Sequence, residues 1–138
     1  MRSADLISVN VQYEYGRTSR LLDLVDAWAS HVLRLFRESQ PSFAGEDAWG
    51  VHDFIAALYI RDRIDRGLDA FASDDGAPPT LIVSDELFRS FTTEDSREKL
   101  QAVVRDAPRE PWWWRRLPTT GPVVTELDAI ASRISDAT

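Results

Sequence analysis

Pro111-Trp112-Trp113-Trp114-Arg115-Arg116-Leu117-Pro118 places three of the chain's five tryptophans side by side, between prolines and ahead of two arginines. No regular backbone buries all three rings against one wall. In a strand, Trp112 and Trp114 share a face and Trp113 points the other way. In a helix, steps of about 100° fan the rings over about 200°. At least one ring must therefore meet a second surface, supplied by the fold, a ligand or a partner protein.

Outward from this run, the chain reads as elements that must gather around those rings. Ile7-Ser8-Val9-Asn10-Val11-Gln12-Tyr13-Glu14-Tyr15 alternates apolar and polar residues over nine positions, the period of a strand with one face on a core. Thr18 or Ser19 can cap a helix to about Ser39, in which Leu21, Leu22, Val25, Trp28, Ala29, Val32, Leu33 and Phe36 form an apolar stripe. A second helix starts near Glu46 to Val51 and reaches about Ala72. Phe54, Ile55, Leu58, Tyr59, Ile64, Leu68 and Phe71 trace its buried face. On its exposed side, Arg61 with Asp65 and Asp62 with Arg66 stand as i,i+4 pairs of opposite charge.

Thr80-Leu81-Ile82-Val83 reads as a short interior strand, apolar on both faces. Ser84 or Asp85 then caps a short helix through Phe91, and Thr92 or Thr93 starts another to about Asp106. Gly121-Pro122 opens a last helix holding Val123, Val124, Leu127, Ile130 and Ile134. The expected order is β-α-α-β-α-α-(β)-α. A lone strand leaves backbone groups unsatisfied, so residues 7–15 need a partner; residues 80–83 are the candidate, with 112–117 as a third strand. The fold expected is α+β, mostly helical, one domain over residues 1–138, with a two- or three-stranded sheet and helices chiefly on one face.

Composition narrows the use. With 138 residues, 43% hydrophobic and 28% charged, the chain suits one globular core. It has no cysteine, which excludes disulfides, thiolate chemistry and cysteine-bound zinc, and suits a reducing, cytoplasmic setting. Met1 to Asp5 carry no apolar run of a secretory signal, and no stretch approaches the roughly 20 apolar residues of a membrane span. A net charge of −7 disfavours nucleic acid and anionic membranes as partners and matches a basic protein surface.

Chemical signatures are sparse. His31 has Leu35 at i+4, and His52-Asp53 has no second histidine nearby, so neither meets metal-site spacing. No serine stands in a Gly-x-Ser-x-Gly elbow, and six scattered glycines form no phosphate loop. The acidic pairs Glu46-Asp47, Asp74-Asp75, Asp85-Glu86 and Glu94-Asp95 sit at helix starts or in a loop, where capping and dipole matching explain them. No catalytic residue, metal or cofactor is assigned.

The tryptophan run carries the functional expectation. Tryptophan and arginine are enriched at binding hot spots, so Trp112, Trp113, Trp114, Arg115 and Arg116 form a candidate contact surface. The plainer alternative puts two rings in the core, with Trp113 covered by the last helix or stacked under an arginine. Tyr13 and Tyr15 share the inward register of the first strand. Beside the tryptophan segment they would make an aromatic pocket or plain core. The leading expectation is a small acidic protein-binding protein, of the kind that inhibits or gives immunity against a basic toxin or enzyme. The alternatives are a small-molecule binder or enzyme using the aromatic pocket, and a homo-oligomer that buries the tryptophans against itself.

Overall fold

In the computed structural model of the chain, residues 10–13, 17–43, 47–70 and 77–136 are described. Strand β1 (Asn10–Tyr13) pairs antiparallel with β2 (Arg17–Arg20), in a register that sets Tyr13 opposite Arg17 and Asn10 opposite Arg20. The expected strand over 7–15 is thus partly present, since residues 7–9, 14 and 15 lie outside the described residues. Its partner is β2 rather than residues 80–83. Thr18 and Ser19 belong to β2, and the chain passes straight into helix α1 (Leu21–Glu38).

Helix α1 buries Leu21, Leu24, Val25, Trp28, Val32 and Leu35. Of the expected stripe, Leu21, Val25, Trp28 and Val32 are buried, Leu22, Ala29 and Phe36 are half-buried, and Leu33 is exposed, while Leu24 and Leu35 join the buried face. It packs against helix α2 (Val51–Ala70) and helix α3 (Pro79–Phe91), and β1 lies against α2. The start of α2 is held from two sides. The Gly50 N–H donates to Asp53 Oδ2 at 3.0 Å, and the Val51 N–H donates to Glu126 Oε1 at 2.9 Å. The connection ahead of α2 is clamped by Glu38, whose carboxylate accepts from Arg34 Nε and from the Trp49 N–H.

Residues 80–83 are helical, which corrects the strand expected there. Pro79 occupies the first turn of α3, where a missing N–H costs nothing, and the buried face runs Leu81, Ser84, Asp85, Phe88 and Phe91. Ile82 and Val83 turn outward, 48% and 63% exposed. Packing of α3 on α1 overrides the β-preference of a short branched run. The Thr92–Glu94 segment, expected to start a helix, is instead strand β3, antiparallel to β4 (Arg116–Pro118). A short helix α4 (Lys99–Val103) follows, and the Asp95 carboxylate accepts from the Lys99 and Leu100 N–H groups at 3.0 and 3.1 Å.

Helix α5 (Pro122–Asp136) begins where Gly121-Pro122 predicts and packs on α2, α4 and β4. The class is therefore as expected, a mostly helical α+β fold with small antiparallel pairings. The order of the described elements differs: β-β-α-α-α-β-α-β-α, with a 3-10 turn ahead of β4.

Gly121 fixes how α5 enters. Its φ is +108°, and an added Cβ would sit 3.0 Å from Ser39 Cα and 3.1 Å from the Glu38 carbonyl oxygen, both backbone atoms. Gly121→Ala is expected to cost roughly 1–3 kcal/mol through strain and the close approach to the end of α1. Urea denaturation measures it; a midpoint unchanged from the parent would refute this account of the junction.

Candidate functional site

The tryptophan run forms a 3-10 turn, Trp112–Arg115, with the Trp114 N–H bonded to the Pro111 carbonyl at 3.0 Å. Residues 112–115 are thus a turn rather than strand, and only Arg116 and Leu117 of the expected third strand lie in β4. At three residues per turn, successive side chains leave about 120° apart. The three rings accordingly part company. Trp113 and Trp114 are 1% and 0% exposed, while Trp112 is half-buried at the rim.

The two inner rings converge on one acceptor. Trp113 Nε1 and Trp114 Nε1 donate to Asp62 Oδ1 at 2.7 and 2.8 Å. The neighbouring Arg61 guanidinium lies 4.3 Å from the Trp113 ring centroid and is itself buried. Arg61 binds Asp85 through two bonds, Nε to Oδ1 at 3.0 Å and Nη2 to Oδ2 at 2.8 Å. Trp28 Nε1 also donates to Asp85 Oδ1, at 2.9 Å. Three indoles, two carboxylates and one guanidinium thus join α1, α2, α3 and the 3-10 turn.

The outer ring has a different setting. Arg89, in the last turn of α3, lies over the Trp112 ring with its guanidinium carbon 3.8 Å from the centroid. Phe88 supports the ring from the core side, with centroids 6.1 Å apart. Arg116 is fixed by its Nε donating to Thr92 Oγ1 at 2.8 Å and its Nη2 donating to the Thr92 carbonyl at 2.7 Å. Nη2 also reaches the Arg89 carbonyl at 3.3 Å, at the negative end of the α3 dipole. The Thr92 hydroxyl in turn donates a hydrogen bond to the Phe88 carbonyl at 2.7 Å. Arg115 is exposed, and its Nη2 stands 3.6 Å from Glu94 Oε1. Arg89, Glu94, Trp112, Arg115 and Arg116 line a surface cleft of about 240 Å³.

The residues predicted from sequence therefore divide. Trp112, Arg115 and Arg116 meet at this cleft, whereas Trp113 and Trp114 belong to the core. Tyr13 lies in β1 opposite Arg17, its side chain outside what is described, and Tyr15 is outside the described residues. Among the described residues β1 pairs with β2 and β4 with β3, so no sheet pairing joins the first strand to the tryptophan segment. His31 bonds the Ala27 carbonyl and packs on Trp49, while His52 is exposed. Among the described residues no three acidic or histidine side chains come together as metal ligands, and no described helix is long and apolar enough to cross a membrane.

Sequence reasoning missed Arg61, Asp62, Asp85 and Arg89. Arg61 and Asp62 look like members of exposed i,i+4 pairs. Yet Arg61 sits three and four residues after Leu58 and Ala57, and three before Ile64, on the buried stripe. Asp85 stands likewise between Leu81 and Phe88. A charge on an apolar stripe was the available signal. Comparison with family models, curated proteins and solved structures finds no match to this chain.

The core network makes a graded prediction. Asp85→Ala leaves Arg61 and Trp28 buried without their acceptor and is expected to cost about 3–5 kcal/mol. Asp62→Ala orphans two indole N–H groups, for about 1–3 kcal/mol, whereas Asp62→Asn keeps an acceptor oxygen and costs less. Urea melts of the three variants check the ranking. Equal losses for Asp62→Ala and Asp62→Asn would show that the acceptor does not matter.

Proposed function

We propose that this protein is a binding protein that recognises another protein through the face around Trp112. The observation that carries the proposal is the half-buried indole capped by Arg89 at 3.8 Å, with Arg115 and Arg116 beside it. Rigid aromatic area next to planar donor forks is the composition of binding hot spots. Trp112 is held by Phe88 behind and Arg89 in front, so docking immobilises little that is not already fixed. With Trp113 and Trp114 committed to Asp62, only Trp112 of the run is presented outward.

A net charge of −7 attracts a basic partner at long range. An inhibitor or immunity-type protein that masks a basic toxin or enzyme fits this combination. A chain without cysteine suits work in a reducing compartment such as the cytoplasm.

Affinity capture from the source cell with parent and Trp112→Ala baits tests the proposal, alongside light scattering of the pure protein. The expected outcome is a stoichiometric partner on the parent bait, with at least about tenfold weaker retention by Trp112→Ala. Circular dichroism of the variant should remain that of the parent. A monomer at high concentration that captures no protein would overturn the proposal.

A further inference from the structure

We propose that the cleft between Arg89, Arg115 and Arg116 is a carboxylate seat, which receives an acidic side chain of the partner; this rests on the recognition face proposed above. Three arginines and one carboxylate, that of Glu94, line the cleft, which gives it a local net charge of 3 − 1 = +2 within a chain of −7. Such a cationic spot on an acidic molecule is a local arrangement rather than a reflection of composition. Arg116 is built into it by bonds to Thr92 and to the Arg89 carbonyl, so its position does not depend on a ligand.

Glu94 indicates what the cleft takes. Its Oε1 stands 3.6 Å from Arg115 Nη2, too far for a hydrogen bond, and both side chains are more than half exposed. A contact this loose is worth little in water and exchanges readily. A partner's carboxylate can approach the same guanidinium at hydrogen-bond distance and in its plane, with Trp112 in the same cleft wall beside it. Because Glu94 remains in the cleft, a monoanionic carboxylate meets less repulsion than a doubly charged phosphate. The net charge of −7 works against long polyanions.

The probe is the capped single residue N-acetyl-glutamate N-methylamide, a monoanionic carboxylate, titrated into the full-length protein. Indole and arginine Nε–H signals are followed by two-dimensional ¹H–¹⁵N NMR. Shifts confined to Trp112, Arg89, Arg115 and Arg116, weakening as salt rises, are expected. Arg115→Ala should weaken binding about threefold or more, and Glu94→Gln, which removes the resident carboxylate, should tighten it by about as much. Absence of shifts, or unchanged affinity in both variants, would overturn the seat. Stronger shifts with inorganic phosphate than with the capped residue would overturn its assignment to carboxylate. If partner capture survives Arg115→Ala but not Trp112→Ala, the acidic contact is wrong and the recognition face stands. If the capped residue binds as expected yet no partner is captured, the carboxylate seat is supported and the recognition reading falls.

Discussion

Asp62 Oδ1 accepts two indole N–H groups from consecutive residues, and that sharing constrains the rest of the molecule. An indole buried without an acceptor loses about 1–3 kcal/mol, so each of the two rings needs this oxygen. Their side chains leave the 3-10 turn in different directions, and their N–H edges close back on one atom. The turn cannot slide along α2 without breaking both bonds together. Because Arg61 is the next residue and lies over Trp113, the same restraint reaches Asp85 on α3 and Trp28 on α1.

A buried ion pair such as Arg61–Asp85 contributes little net stability beside an apolar pair of equal volume, since desolvation offsets most of the attraction. It does penalise every arrangement in which either charge is buried alone. Asp85 is met by Arg61 through both oxygens and by Trp28 at one of them, a combination only one relative placement of α1, α2 and α3 supplies. Among the described residues Arg61 Nη1 finds no hydrogen-bond partner, and the stacking on Trp113 is a contact that helps offset its burial. The network therefore defines position more than it adds stability, and the position it defines is that of the tryptophan turn.

Elements governed by their own residues were legible. The stripe of α1 and the Gly121-Pro122 start of α5 depend on spacing and on proline's fixed φ, so a window of sequence contains them. Residues 80–83 misled because an outward Ile82 and Val83 spell the same letters as an interior strand. Recognising α3 required admitting Asp85 to its buried face. Arg61 and Asp62 misled for a related reason: opposite charges at i,i+4 explain themselves locally, while their partners Asp85, Trp113 and Trp114 are 24 to 52 residues distant. The geometric limit on three adjacent indoles held in part of the site: they do not share one wall. Which ring would turn outward was not in the run itself. It depends on a 3-10 turn and on a carboxylate 52 residues from Trp114.

That division of the rings lets one segment serve core and surface together. Trp113 and Trp114 tie the turn to α2, so Trp112 and Arg115 project from an anchored backbone, and Arg116 is pinned to the end of α3. A rigid surface loses little freedom on binding, which favours contacts with few side chains. Charge adds a second filter under the recognition proposed here. On approach a partner senses the overall negative charge, damped by salt over a Debye length of about 8 Å, whereas at contact it meets the three guanidinium groups of the cleft. A partner must then be basic in sum and acidic at one point. Under that proposal, two charge requirements of opposite sign discriminate among partners more sharply than either alone.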